Sequence, residues 1–374
     1  MKIEDKRHTV TMRTLTPVHV GSGNLLQNNI EFVEDKNENG DSNIYIIDPV
    51  KVVDIIGVHN IDTWVTAIEK EESIKGLISG KLAAPESYSK RVLTNFAKLS
   101  PKTTLKECMH DGRGIACIPG SSIKGAIRTA VLASLAMDKS NELSYKINLN
   151  NKQFACSNVE SELFGKTPFE NIFRFLQVGD AYFDRNCEKS LNEVNLNIRE
   201  KESLIDTTKS QVIEAIAEGK ESTLSIKLAS GYANHCAGTG KVKSLPKSID
   251  TIENLFNTIN CHIQRLIEEE IKYWNTVSES HTGADNYIEN LEALLETVNG
   301  CKQGKECVLR VGHASGWRFT TGAWTEKLPI FKNKIVPMSR PKNDGYKQYD
   351  FPKTRRVGDE HSDIFGFVKL TIAE

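Results

Sequence analysis

Ile118-Pro119-Gly120-Ser121-Ser122-Ile123-Lys124-Gly125-Ala126-Ile127-Arg128 decides the reading of this 374-residue chain. A short apolar strand over 115–118 meets a Pro-Gly break. A helix follows, capped by Ser121 or Ser122. Its apolar face is Ile123, Ala126, Ile127, Ala130, Val131, Ser134 and Leu135, a 3.6-residue spacing. Free N–H groups and the dipole at such a helix start favour a phosphate, with Gly120, Ser121 and Ser122 as the approach. Lys124 and Arg128 are four apart and share a face off the apolar stripe. Bases there oppose the macrodipole, a cost that a bound polyanion offsets. The order GxxxxGK[ST] is absent, so this is not a Walker A loop.

Outward from this stretch, strands and helices alternate without a βαβα rhythm, which favours α+β. Residues 8–18 read as an early strand ending at Pro17 and a Gly21-Ser22-Gly23 turn. Residues 30–33 and 44–47 form a strand pair, and Asp48-Pro49 starts a helix. Residues 175–183, 224–228, 307–311 and 364–372 read as further strands. The plainest helix is 249–274, with Ile252, Leu255, Ile259, Ile263, Leu266, Ile267 and Trp274 in one stripe. A second helix follows over 285–298. The expected division is 1–190 and 191–374, the second part carrying an acidic helical insertion over 249–300.

Composition bounds the class. Hydrophobic residues make up 39% and charged residues 26%, an ordinary globular balance that excludes collagen-like and disordered chains. No apolar run reaches the ~18–20 residues of a membrane span, and the first residues hold no apolar signal core. The eight cysteines are scattered, without CxxC, so reduced thiols and a cytoplasmic location are expected. The net charge of −1 conceals an asymmetry. Residues 250–300 hold ten acids against two bases, and 327–356 nine bases against two acids. Such a basic strip suits a nucleic-acid backbone.

Three further stretches could carry chemistry. Thr16-Pro17-Val18-His19-Val20-Gly21-Ser22-Gly23 brings backbone N–H groups close to an anion. Leu309-Arg310-Val311-Gly312-His313-Ala314-Ser315-Gly316-Trp317-Arg318 offers glycines for close approach, an aromatic for stacking and a cation for phosphate. Phe351-Pro352-Lys353-Thr354-Arg355-Arg356 adds three charges in four residues. A zinc site from Cys301, Cys307 and His313 lacks a fourth ligand and the usual tight pairs. His110-Asp111 lies in a loop and makes a poor metal pair. His19 and His313 each sit beside a glycine turn, where either could act as a general base in RNA cleavage.

In this order the early strand and its Gly-Ser-Gly, the Ile-Pro-Gly-Ser-Ser-Ile-Lys-Gly stretch and the late glycine loop resemble the RAMP superfamily of CRISPR proteins. With the helical insertion and the closing Phe-Pro-Lys-Thr-Arg segment, the chain looks most like the fifth-subunit family of type III-A Csm complexes. The resemblance implies two ferredoxin-like (RRM-related) domains with helical insertions and Gly-rich loops. It implies a non-catalytic subunit capping the Csm filament near the crRNA 3′ end and supporting its 3′-end maturation. The implied partners are crRNA, other Csm subunits and recruited host ribonucleases, with no cofactor, no metal and no membrane. RNA contact is expected at His19, Gly21, Ser22, Gly23, Gly120, Ser121, Ser122, Lys124, Arg128, Gly312, Gly316, Trp317, Arg318, Lys353, Arg355 and Arg356. The acidic helices are expected to face away from RNA. The alternative is a metal-independent RAMP endoribonuclease with His19 as its base. A phosphate-binding metabolic enzyme is a third reading, for which the sequence shows no convergent acid/base set.

Overall fold

Alternation of apolar and polar residues along Arg7–Thr14 buries Val10, Met12 and Thr14 and leaves Arg7, Thr9 and Arg13 in solvent. This half-buried pattern is that of a sheet covered on one face. The computed structural model describes residues 5–79, 84–151, 153–200, 203–278, 283–339, 351–359, 361 and 363–373. Among these the strands are β1 (Arg7–Thr14), β2 (Gly21–Gln27), β3 (Phe32–Lys36), β4 (Ser42–Ile47), β5 (Ser89–Asn95), β6 (Thr104–Cys108), β7 (Cys117–Ile118), β8 (Leu176–Val178), β9 (Ala181–Tyr182), β10 (Glu188–Asn197), β11 (Ile205–Ile216), β12 (Glu221–Leu228), β13 (Glu306–Arg310), β14 (Thr354–Gly358) and β15 (Phe367–Ile372).

The first sheet has the order β13-β15-β1-β12-β8, all antiparallel. Taken with the helices Gly120–Asp138 and Ile252–Ser278, the chain runs β1, helix, β8, β12, helix, β15. That is the βαββαβ of a ferredoxin-like domain, with β13 added at one edge. Both helices lie on the buried face. Ile123, Ile127, Val131, Leu255, Phe256 and Ile259 share one core with Val10, Met12, Leu224, Ile226 and Leu370. Each such side chain contributes roughly 1.5–3 kcal/mol on burial.

The second sheet has eight strands, ordered β2-β6-β11-β10-β5-β4-β3, with β14 also on β10. A second core joins the two sheets. There Ile263, Ile267 and Trp274 meet Leu291 and Val298 of the helix Asp285–Asn299, Val194 of β10 and Phe367 of β15. The α+β reading holds, and the two chosen helices stand where their periodicity put them.

Three expectations shift. The division between 190 and 191 falls inside β10, and each sheet takes strands from both sides of it. The reason is register: β1 can close its sheet only by pairing with β12 and β15, more than 200 residues later. Gly21-Ser22-Gly23 is not a turn but the start of β2, with a register shift between Gly21 and Leu25. The strand expected over 175–183 is broken into β8 and β9 by Gly179 and Asp180. Residues 340–350, the middle of the basic strip, lie outside the described residues. Among the described residues no helix is long and apolar enough to cross a membrane.

Candidate nucleic-acid interface

The early and late glycine stretches meet. After β1 the chain crosses to the second sheet, where Val18 pairs with Ile216. On the way the Thr16 hydroxyl accepts the Phe367 amide at 2.9 Å and the Pro17 carbonyl accepts the Gly366 amide at 2.8 Å. Two residues on, the His19 carbonyl accepts the His313 amide at 2.8 Å. Gly312 lies so close that a Cβ there would stand 2.3 Å from the His19 oxygen, and its φ is +76°. Only glycine fits.

Below the late loop lies Arg310, 7% exposed. It donates to the carbonyls of Val311 at 2.6 Å, Gly312 at 3.3 Å and His313 at 2.5 Å. No carboxylate of the described residues pairs with it, and burial draws its pKa down to about 9. Three successive carbonyls are thus turned inward. The amides of Ala314, Ser315 and Gly316 donate to no described acceptor, and Ala314 and Gly316 have positive φ. Alternating backbone of this kind makes an anion-binding concavity.

His19 is turned into the interior. Its ring is 4% exposed, Nδ1 lies 2.6 Å from the Glu214 carbonyl, and burial lowers its pKa to about 4. The ring meets His313 edge-on at 5.5 Å. His313 itself bonds Glu193 through Nε2 at 2.6 Å, and Glu193 also takes Arg356.

Several expected contacts turn inward. Arg355 is buried and forks onto Glu270, and Arg318 reaches the same carboxylate at 2.7 Å. Burial pushes the Glu270 pKa up, but the two arginines, Arg355 foremost, hold it at about 2. Neither arginine presents a free head to a phosphate. Trp317 packs on Phe351 and Phe331, at 5.3 and 6.1 Å between centroids, rather than offering a stacking face. The Lys353 carbonyl accepts the Ile198 amide at 3.1 Å, in the turn that leads to β14.

The middle motif is also partly satisfied within the chain. Pro119, not a serine, holds the N-cap position of its helix, and the Gly120 amide donates to Asp180 at 2.6 Å. Asp180 thus stands where a phosphate was expected. A Cβ on Gly120 would meet the Val178 oxygen at 2.3 Å, so here glycine serves close packing on the β8–β9 bend. Ser121 is exposed, and the Ser122 amide bonds the Pro119 carbonyl at 2.9 Å. Lys124 donates to the Leu176 carbonyl at 2.6 Å, with its pKa lowered by burial. Arg128 pairs with Glu160 at 2.7 Å over the Phe164 ring. In the early motif Ser22 donates to Glu107 at 3.1 Å, and Gly23 opens onto free space.

One polar cluster was not visible in the sequence. His110, Glu188 and Glu214 bring ligand atoms within 4.8 Å of one another. Arg91 lies among them, 2.7 Å from His110 Nε2, bonded to Glu214, and 3.1 Å from Glu107. The chain's own guanidinium takes the place of a cation there. Asp111, the other half of the sequence pair, instead caps its own turn through the amides of Arg113 and Ile115. These residues come from four strands and a loop, so no local spacing announces them.

Comparison with known proteins sets this geometry in a family. The RAMP superfamily profile matches residues 11–319. A Methanocaldococcus jannaschii protein named CRISPR system Cms protein Csm5 is 24% identical over 98% of this chain and 89% of its own length. A chain of the cryo-EM structure of a Csm-crRNA-target RNA ternary complex of a type III-A CRISPR-Cas system superposes with TM-score 0.72 at 20% identity, covering 98% of this chain and all of the other. The crystal structure of T. onnurineus Csm5 superposes with TM-score 0.66 at 18% identity, covering 96% and 99%. The chain belongs to the RAMP superfamily.

Proposed function

We propose that this chain is the crRNA-binding fifth-type subunit of a type III-A Csm complex. It caps the filament near the crRNA 3′ end and supports maturation of that end. The observation that carries the reading is the match over nearly the whole of both chains to a component of a Csm-crRNA-target RNA assembly. The joined loops supply a contact suited to that role, because the amides of Ala314, Ser315 and Gly316 have no described acceptor and the positive φ of Ala314 and Gly316 suits a backbone anion site for a phosphate oxygen. The bases first assigned to phosphate are mostly tied to Glu270, Glu193 and Glu160, so backbone amides carry more of the contact than side-chain charge.

The test is co-expression with the remaining Csm subunits and a precursor crRNA. This reading expects the chain in the purified complex, and longer crRNAs when it is omitted. A complex that forms with unchanged crRNA length in its absence would overturn the maturation role. Incubation of the pure chain with repeat RNA in EDTA tests the nuclease alternative; specific cutting that His19→Ala abolishes would establish it.

A further inference from the structure

On the face of the first sheet opposite Val10 and Met12, the β13 edge is covered where Val308 and Phe367 enter the second core, whereas the part along β1 and β12 is exposed or half-buried and used by none of the contacts above. Its middle is a ladder of hydroxyls. Thr11 stands opposite Thr223 on one side and Thr371 on the other, and Thr9 opposite Ser225. At each end of this ladder two bases face one another across neighbouring strands, Arg7 opposite Lys227 and Arg13 opposite Lys369. Like charges directly opposite on a sheet destabilise it. The acids on the face answer this only in part: Glu306 pairs with Lys369 at 3.1 Å, and Glu221 stands opposite Arg13. Four bases against two acids leave an excess of positive charge.

From Arg7 to Arg13 is six strand steps, about 20 Å. The face therefore offers two cationic ends joined by a row of hydrogen-bonding hydroxyls, with no aromatic side chain among these positions. A partner that stacks bases gains nothing here. A flexible polyanion with phosphates at intervals and hydroxyls between them fits both the charge and the ladder.

We propose that this face binds a single strand of RNA through its phosphates and 2′-hydroxyls, as a second track separate from the joined loops. The inference rests on the RNA-binding reading above. The bases bind phosphates at the two ends, and the threonines bond sugars between. Sequence is not read, because nothing contacts base edges.

The test titrates the purified full-length chain with a labelled twelve-nucleotide RNA carrying 4-thiouridine, the matching DNA, and poly-glutamate as competitor. The double variant Arg13→Ala/Lys227→Ala removes one base from each end. Its thermal melt is recorded beside that of the parent, so that a loss of binding through misfolding is told apart from a loss of contacts. The proposal expects the salt slope of RNA binding to shrink by about 1.4, two phosphate contacts on a single strand. It also expects 4-thiouridine cross-links on β1 and β12, and weaker binding of DNA. An unchanged slope in the variant, or cross-links confined to residues 16–23 and 310–318, overturns the second track and leaves the proposed function standing. Competition by poly-glutamate equal to that by RNA overturns it in favour of an acidic protein partner. Cross-links on β1 and β12 in a chain that fails to enter the Csm complex would leave the track standing and sink the proposed function.

Discussion

The His313 amide donates to the His19 carbonyl at 2.8 Å, and this one bond joins stretches nearly 300 residues apart. It brings the loop after β1 and the loop after β13 onto one surface.

The glycines of the late loop therefore differ in their tolerance. Gly312→Ala meets the His19 oxygen at 2.3 Å as well as a φ of +76°. Gly316→Ala carries only the φ cost, since its nearest outside atom is 3.9 Å away. Gly316→Ala should cost about 1–2 kcal/mol, and Gly312→Ala at least about 1–3 kcal/mol more. Urea unfolding of the two variants measures the gap. Equal midpoints would show that the loops are not in contact.

Gly120→Ala sets helix propensity against packing. Alanine gains about 1 kcal/mol over glycine inside a helix. Here the added carbon meets the Val178 and Gly179 carbonyl oxygens at 2.3 and 2.8 Å. Net destabilisation of about 1–3 kcal/mol is expected, read as a lowered urea midpoint.

Glu270→Gln should be among the most damaging single changes. It leaves the buried Arg355 with a neutral partner and Arg318 with Glu326 as its remaining carboxylate, a loss of about 3–5 kcal/mol. The same carboxylate makes the fold acid-sensitive. Its pKa is about 2 folded against an ordinary value near 4.5, so its stabilisation is complete above pH 4.5. It is lost as pH falls from there toward 2. Thermal unfolding of parent and variant at pH 7 and pH 3 should show the gap between them narrowing in acid.

His19 acts at milder pH and in the same direction. Unfolded, its imidazole takes up a proton near pH 6.5; folded, only near 4. The unfolded chain binds more protons between these values, so stability falls as pH drops from 6.5 to 4, by about 3 kcal/mol from this residue. His262, held down to about 3 by burial, adds to the fall. His19→Gln should flatten part of the melting-temperature decline between pH 7 and 5; an unchanged slope would mean the ring is not buried as described.

The frame was legible because it rests on local periodicity. The stripes of the Gly120–Asp138 and Ile252–Ser278 helices, the alternation in β1 and the closing strand all follow from side-chain spacing. What escaped was tertiary. Glu270 belongs to the acidic stretch over 250–300 that is expected to face away from RNA, although it lies four residues after Leu266 and four before Trp274, within the apolar stripe. That position was the available sign that it turns inward, and with it Arg318 and Arg355. Asp180 at the start of the Gly120–Asp138 helix had no such sign, because it arrives from 60 residues away. The same holds for Arg91 and the carboxylates around it.

The most direct measurement is cross-linking of a crRNA, photoactivatable at either its 3′-terminal or its 5′-terminal nucleotides, within the reconstituted Csm complex containing this chain. Adducts from the 3′ label are expected on peptides covering residues 16–23 and 310–318, and none from the 5′ label. Adducts from the 5′ label alone, or none on this chain from either end, would contradict this.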